Sequence, residues 1–180
     1  MSGYCDVAPG HPVHAYYHEH EYGFPLSGDS ELYERLLLEI NQAGLSWELI
    51  LKKREGFRRA YSQFDIARIA NYDENDRARL LSNPEIIRNK LKVNAAIVNA
   101  QRVLDICREY GSFKNWLDSH HPKSKPEWVK LFKATFKFTG GEIVGEFLMS
   151  IGYLPGAHKV TCPVHAKIVA AAPAWMRLTR

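Results

Sequence analysis

No stretch of the 180-residue chain approaches the ~18 consecutive apolar residues of a membrane span. The opening MSGYCDVAPG has neither the basic segment nor the apolar segment of an export signal. A cytoplasmic protein with no membrane partner is expected. Cysteine is scarce: Cys5, Cys107 and Cys162 are odd in number and far apart, which argues against a disulfide framework and against an all-cysteine iron–sulfur cluster. Strict apolar–polar alternation is nowhere long enough to make a strand, and repeats and low-complexity segments are lacking, so the expected class is all-α. Neither sign of charge dominates. The net charge of +4 is a mild bias that permits a polyanionic partner without requiring one.

What is present is enough for a sizeable core. With 46% hydrophobic residues, residues 1–180 are expected to form a single globular domain. In DSELYERLLLEINQAG the apolar residues Leu32, Leu36, Leu37 and Ile40 recur at helical spacing; Asp29 or Ser30 can cap the start and Gly44 can stop it. Ser46 caps a second helix with a solvated face of Lys52, Lys53, Arg54, Arg58 and Arg59. Asp65 and Asp73 open two short helices, and Asn83 followed by Pro84 signals the start of a long one that Gly111 ends. Ser112 begins another, and HHPKSKP is a basic, proline-bounded connector. Beyond it PEWVKLFKAT leads into FKFTGGEIVGEFLMSIG, YLPGAHKVTCPVH reads as a loop, and an alanine-rich last helix is interrupted by Pro173.

Three places carry residue types that packing does not ask for. The run AYYHEHEYG has no apolar periodicity. His158 and Cys162 in HKVTC are one helical turn apart, a spacing that lets an imidazole and a thiolate converge as half of a zinc site, with Cys5 and His18 available for the other half. The same spacing fits a buried thiol beside surface histidines, and His165 is a competing ligand. Glu39 sits among Leu36, Leu37, Leu38 and Ile40, close to the turn before Trp47. A carboxylate there either rotates to solvent, pairs with Lys52 or Lys53, or waits for a cationic or hydrogen-bonding ligand.

The Gly-Gly turn in FKFTGGEIVGEF can offer backbone N–H groups at a helix start to a phosphate. Its approach from His121 to Thr139 holds five lysines, among them Lys133 and Lys137, against one acid, Glu127. That suits a helix–hairpin–helix element holding one DNA strand by its backbone, and it also suits an ordinary pair of helices with a solvated lysine face.

Taken together, YHEHEYG, QAGLSWELILKKR, FKFTGGEIVGEFLMSIG and HKVTC resemble, in the same order, the bacterial 3-methyladenine DNA glycosylase I family. The resemblance implies an all-α helix–hairpin–helix glycosylase, with the hairpin over about residues 126–151 and a zinc site tying residues 5–18 to 158–162. It implies one structural Zn2+ per chain on Cys5, His18, His158 and Cys162. It implies Glu39 and Tyr17 as catalytic residues, Trp47 and Tyr22 as base-binding residues, and Thr139, Gly140, Gly141, Lys133 and Lys137 as DNA contacts. The implied activity is hydrolytic excision of 3-methyladenine from double-stranded, alkylated DNA by a monomer without lyase activity or protein partner. No aspartate follows Asp118 and no lysine lies between Lys137 and Lys159, which fits that branch.

The chain departs from the family pattern at Ile40, Asn41, Tyr22, Val7 and His14, where glycine, glutamine, tryptophan, an aromatic residue and tyrosine are usual. Bulk at Ile40 is expected to narrow the pocket. The departures leave a second reading, a zinc-stapled DNA-binding paralogue with altered or lost excision activity.

Overall fold

The computed structural model describes residues 3–177, which contain eleven α-helices and no strand. In chain order these are α1 (Tyr4–Val7), α2 (His14–His20), α3 (Asp29–Gln42), α4 (Trp47–Ala60), α5 (Ile66–Ala70), α6 (Glu74–Ser82), α7 (Lys90–Tyr110), α8 (Phe113–His120), α9 (Lys125–Thr135), α10 (Gly141–Ser150) and α11 (Pro163–Ala170). None is long and apolar enough to cross a membrane.

α3 is the axis of the molecule. It packs against α4 and α7 on one side and α8 and α10 on the other, so every residue from Leu32 to Asn41 is buried, Glu34, Arg35 and Glu39 included. A helix covered all round is normally apolar all round, so those three charges each call for a partner. Arg35 has several: it donates to the Ser150 carbonyl at 3.1 Å and to Glu21 at 3.2 Å, and its guanidinium lies 5.0 Å over the Tyr17 ring. Arg54 bridges Glu21 and Glu34, at 2.8 Å to each. It is therefore not part of the solvated face expected of α4; Glu34 on the buried helix draws it inward.

Several local signals act as the sequence suggests. Ser46 accepts from the amide of Leu49, Asp65 from Arg68, Asp73 from Asn75 and Asp76, and Ser112 from Asn115. Gly111 takes φ +85, the left-handed conformation that closes α7.

Others do not. α7 begins at Lys90 under an Asn89 cap, not at Pro84. Residues 84–89 instead strap α4: Lys53 donates to the Pro84 carbonyl at 2.7 Å and Arg59 pairs with Glu85. A Cβ at Gly56 would come 2.5 Å from the Glu85 carbonyl oxygen, so the strap lies directly on α4. α3 is capped by Gly28, because Asp29 turns away to accept from the amide of Phe113 at 2.8 Å and from the Cys107 thiol.

α9 and α10 form the helical hairpin. Trp128, Phe132, Phe136 and Phe147 are buried, along with Phe113 and Trp116 of α8, and burying each contributes roughly 1.5–3 kcal/mol. Asn99 of α7 clamps the hairpin, accepting from the Lys137 amide at 2.7 Å and donating to the Lys137 carbonyl at 3.0 Å. The C-terminal segment has a separate small cluster of Cys162, Val164 and Ile168, with Cys5 and Phe24 against it. Beyond it, Ala174 is buried in the main core and the Trp175 amide donates to the Gly152 carbonyl at 3.0 Å.

Candidate active site and metal centre

One cavity of about 390 Å³ opens where α2, α3, the start of α4 and α10 converge. α2 and the turn after it bring Tyr17 and Tyr22, α3 brings Glu39, α4 brings Trp47 and α10 brings Glu146. Tyr17 and Trp47 lie with ring centroids 5.1 Å apart, Tyr17 and Tyr22 at 5.8 Å, and Tyr4 meets Tyr22 edge-on at 5.4 Å. Aromatic walls of this kind hold a flat ligand between faces.

The polar groups on these walls are short of partners. Glu39 is 4% exposed, and among the described residues its carboxyl forms no hydrogen bond or ion pair. Burial, and then the nearby Glu146, push its pKa up to about 8, against the opposing pull of Arg35. The Tyr17 hydroxyl and the Trp47 indole N–H are buried without a partner. Groups left so are costly in a core, at roughly 1–3 kcal/mol each, and common in a site built for a ligand. Glu39 pairs with neither Lys52 nor Lys53: Lys52 holds Glu48, and Lys53 is on the strap.

The expected pocket residues Glu39, Tyr17, Trp47 and Tyr22 thus surround one space. Six wall residues escaped sequence reasoning: Tyr4, Gln42, Glu146, Met149, Gly156 and Ala157. Glu146, an acid inside the apolar helix GEIVGEFLMS, carried the same signal that marked Glu39. Ile40 points away, into the main core, and does not narrow the cavity; Val7 is 51% exposed and does not face it either. Asn41 turns back to donate to the Leu37 carbonyl, and the His14 ring meets the Tyr4 hydroxyl at 3.1 Å.

Behind the Tyr22 wall lies a second cluster. Cys5, His18, His158 and Cys162 bring their ligand atoms within 4.8 Å of one another. His158 Nδ1 is 3.5 Å from Cys5 Sγ and 3.6 Å from Cys162 Sγ, and His18 Nε2 is 3.8 Å from Cys162 Sγ. A tetrahedral zinc with mixed nitrogen and sulfur ligands sets such edges at about 3.4–3.8 Å, so the donor set fits that ion. His158 donates from Nε2 to the Tyr22 carbonyl at 2.7 Å, which leaves Nδ1 free to ligate. Residues 158–162 lie in the loop expected of YLPGAHKVTCPVH; a turn closed by the Cys162 amide on the Lys159 carbonyl aims His158 and Cys162 at one point. His165 is not in the cluster. A second group, His11, His14 and Glu48, is also close, but Glu48 is bound to Lys52 and His11 Nδ1 accepts from the amides of Val13 and His14.

At the hairpin the turn differs from expectation. The left-handed residue is Phe138, with φ +60, while Gly140 and Gly141 have ordinary dihedrals at the start of α10. A Cβ on Gly140 would meet nothing within 4 Å, so the fold itself does not require that glycine. The Thr139 side chain is buried and donates to the Phe132 carbonyl at 3.1 Å. Lys133 and Lys137 are exposed beside it.

A hairpin of two helices with a basic edge, beside an aromatic pocket with a buried acid on its wall, is the arrangement of a helix–hairpin–helix protein. A family model, methyladenine glycosylase, matches residues 7–130. DNA-3-methyladenine glycosylase 1 of Escherichia coli (strain K12) is 33% identical over 177 residues, covering 88% of this chain and 94% of that one. A solved variant of 3-methyladenine DNA glycosylase I in complex with 3-methyladenine superposes with a TM-score of 0.81 at 31% identity, covering 91% of this chain and 97% of that one. The Staphylococcus aureus enzyme, solved for its 3-methyladenine recognition, gives 0.79 at 31% identity, with 89% and 95% covered. The chain belongs to the methyladenine glycosylase family.

Proposed function

We propose that this protein hydrolytically excises 3-methyladenine from alkylated double-stranded DNA, without lyase activity. The observation that carries the reading is Glu39, a buried and unpartnered carboxyl facing a cavity walled by Tyr17, Trp47 and Tyr22. A base methylated at N3 is cationic, so it supplies the positive charge that the burial of Glu39 leaves missing. Extruded from the duplex, it stacks on Trp47 and Tyr17, where cation–π attraction adds about 0.5–2 kcal/mol. Glu39 accepts hydrogen bonds from the base edge, and the unpaired Tyr17 O–H and Trp47 N–H are donors for its acceptors.

Bond breaking then needs little help. As the glycosidic C–N bond opens, its electron pair neutralises the departing base, so no general acid is required. Water adds to the sugar carbon and its proton leaves to solvent. Among the described residues no lysine lines the cavity, in keeping with direct hydrolysis rather than a Schiff base. Zn2+ on Cys5, His18, His158 and Cys162 would be structural, since four protein ligands close its tetrahedron. The hairpin, with Lys133, Lys137 and the amides at Gly140 and Gly141, holds the phosphate backbone.

Of the departures behind the paralogue reading, Ile40 and Val7 stand away from the cavity, while Tyr22 lies on its wall and keeps an aromatic ring there. The test is release of free 3-methyladenine from methylated DNA by purified protein, with Glu39→Gln as the control; no release by wild type under conditions where a relative is active would refute the proposal.

A further inference from the structure

The pocket holds a second acid that excision by Glu39 does not use. Glu146, on α10, faces the same cavity, and the Tyr22 hydroxyl donates to its Oε2 at 3.2 Å. Among the described residues no lysine or arginine lines the cavity to balance the two acids. Arg35, the nearest guanidinium to Glu39, is committed to Glu21, the Ser150 carbonyl and the face of Tyr17. Lys125, whose charge acts on Glu146, stands outside the cavity lining and pairs with Glu142 at 3.6 Å. The walls also carry a carboxyl 96% buried without a partner, Glu39, together with the orphan Tyr17 O–H and Trp47 N–H, so the pair of acids is built into a ligand site and is not an incidental cluster.

We infer that Glu146, held by Tyr22, is a second specificity-determining carboxylate of the base pocket, which acts with Glu39 to select bases that carry a full positive charge. This rests on the proposed function for its substrate and extends it. Two acids facing one cavity, Glu39 buried and Glu146 partly so, cannot both ionise cheaply, and burial pushes both upward, Glu39 to about 8. A cationic base relieves that cost for both; a neutral base relieves it for neither. Tyr22, which replaces the family's usual tryptophan, contributes the hydroxyl that favours the charged form of Glu146.

The test uses the zinc-loaded full chain and two ligands of similar size: 3,9-dimethyladeninium, a permanent cation at neutral pH, and neutral 9-methyladenine. Calorimetric affinities for both are compared in wild type, Glu146→Gln and Tyr22→Phe, with melting curves to verify folding. Wild type should favour the cation, and Glu146→Gln should cut that preference by roughly tenfold, with a smaller loss in Tyr22→Phe. The groups facing Glu39 are Glu146 from α10, Arg35 from its own helix, Tyr17 and Tyr22 from the α2 segment and Tyr4 from α1. With Glu146 neutralised, the pH at which cation affinity rises should move down, a shift that loss of packing would not produce. An unchanged preference and an unchanged pH midpoint in a folded Glu146→Gln overturn the inference, whatever the excision assay gives. Failure of wild type to release 3-methyladenine overturns the proposed function separately, because the affinity ratio is measured without turnover.

Discussion

His158 donates from Nε2 to the Tyr22 carbonyl at 2.7 Å while its Nδ1 faces Cys5 and Cys162, so a single imidazole joins the metal cluster to a wall of the base pocket. Tyr4 and Tyr17, two further wall residues, are the chain neighbours of Cys5 and His18. The pocket is therefore framed by the segments that carry the four candidate metal ligands.

Zinc should accordingly be found at one equivalent per chain. Cys162→Ser should lower that content and the melting temperature by roughly 6–12 °C, as a loss of about 3 kcal/mol gives in a chain of this size. It should also weaken base binding, because Tyr22 and Tyr4 lose their anchorage. Metal analysis and melting curves on the same samples check this; a metal-free wild type with unchanged melting and base affinity would remove the staple.

Glu39 gives a stability effect with a definite sign. Its pKa is raised from 4.5 to about 8, so the folded state binds its proton more tightly than the unfolded chain does. The associated stability is complete below about pH 4.5 and is lost as pH rises through 8. Glu39→Gln escapes that loss, so its stability advantage over wild type should grow between those limits to a few kcal/mol and then level off. Denaturant titrations at pH 5, 7 and 9 measure it. An advantage constant with pH would mean that Glu39 is ionised as freely as in solution.

Tyr17→Phe should separate stability from recognition. The hydroxyl has no partner and is buried, so removing it should leave stability unchanged or raise it by up to about 1–2 kcal/mol. Base affinity should fall, since a donor facing the ligand is gone. A destabilised Phe variant would show that the hydroxyl has a partner in the free protein.

Two glycines should behave in opposite ways. Gly56→Ala forces a methyl against the Glu85 backbone at 2.5 Å and should cost about 1–3 kcal/mol, whereas Gly140→Ala meets nothing and should fold normally. If phosphate approaches the start of α10, Gly140→Ala should still weaken DNA binding. The double change Lys133→Ala with Lys137→Ala should flatten the dependence of log affinity on log salt by about 1.8. Salt-dependent binding measurements on these variants decide whether the hairpin is the DNA contact.

The α-helical class, the caps at Ser46, Asp65, Asp73 and Ser112, and the stop at Gly111 were legible in the sequence because each depends on neighbours within one turn of chain. The start of α7 was not: the Asn-Pro signal is real in isolation, but the packing of Glu85 on Gly56 outweighs it. The convergence of Cys5 and His158, 153 residues apart, could come only from the family resemblance, since spacing says nothing about such distances. The position of Thr139 in the turn was visible in the sequence, whereas the direction of its hydroxyl, onto the Phe132 carbonyl, was not. Glu146 went unread although its setting matched that of Glu39; what distinguishes it, the contact with Tyr22, is a tertiary fact.

The most direct test is chromatography of bases released from methylated DNA by wild type and Glu39→Gln, with zinc content measured on the same preparations. The expected result is free 3-methyladenine from the zinc-containing wild type and release reduced at least a hundredfold, on the order of 3 kcal/mol, in a Glu39→Gln protein that retains zinc and fold. Equal release by the two proteins, or none by a zinc-loaded wild type, would contradict the central role of the buried carboxyl.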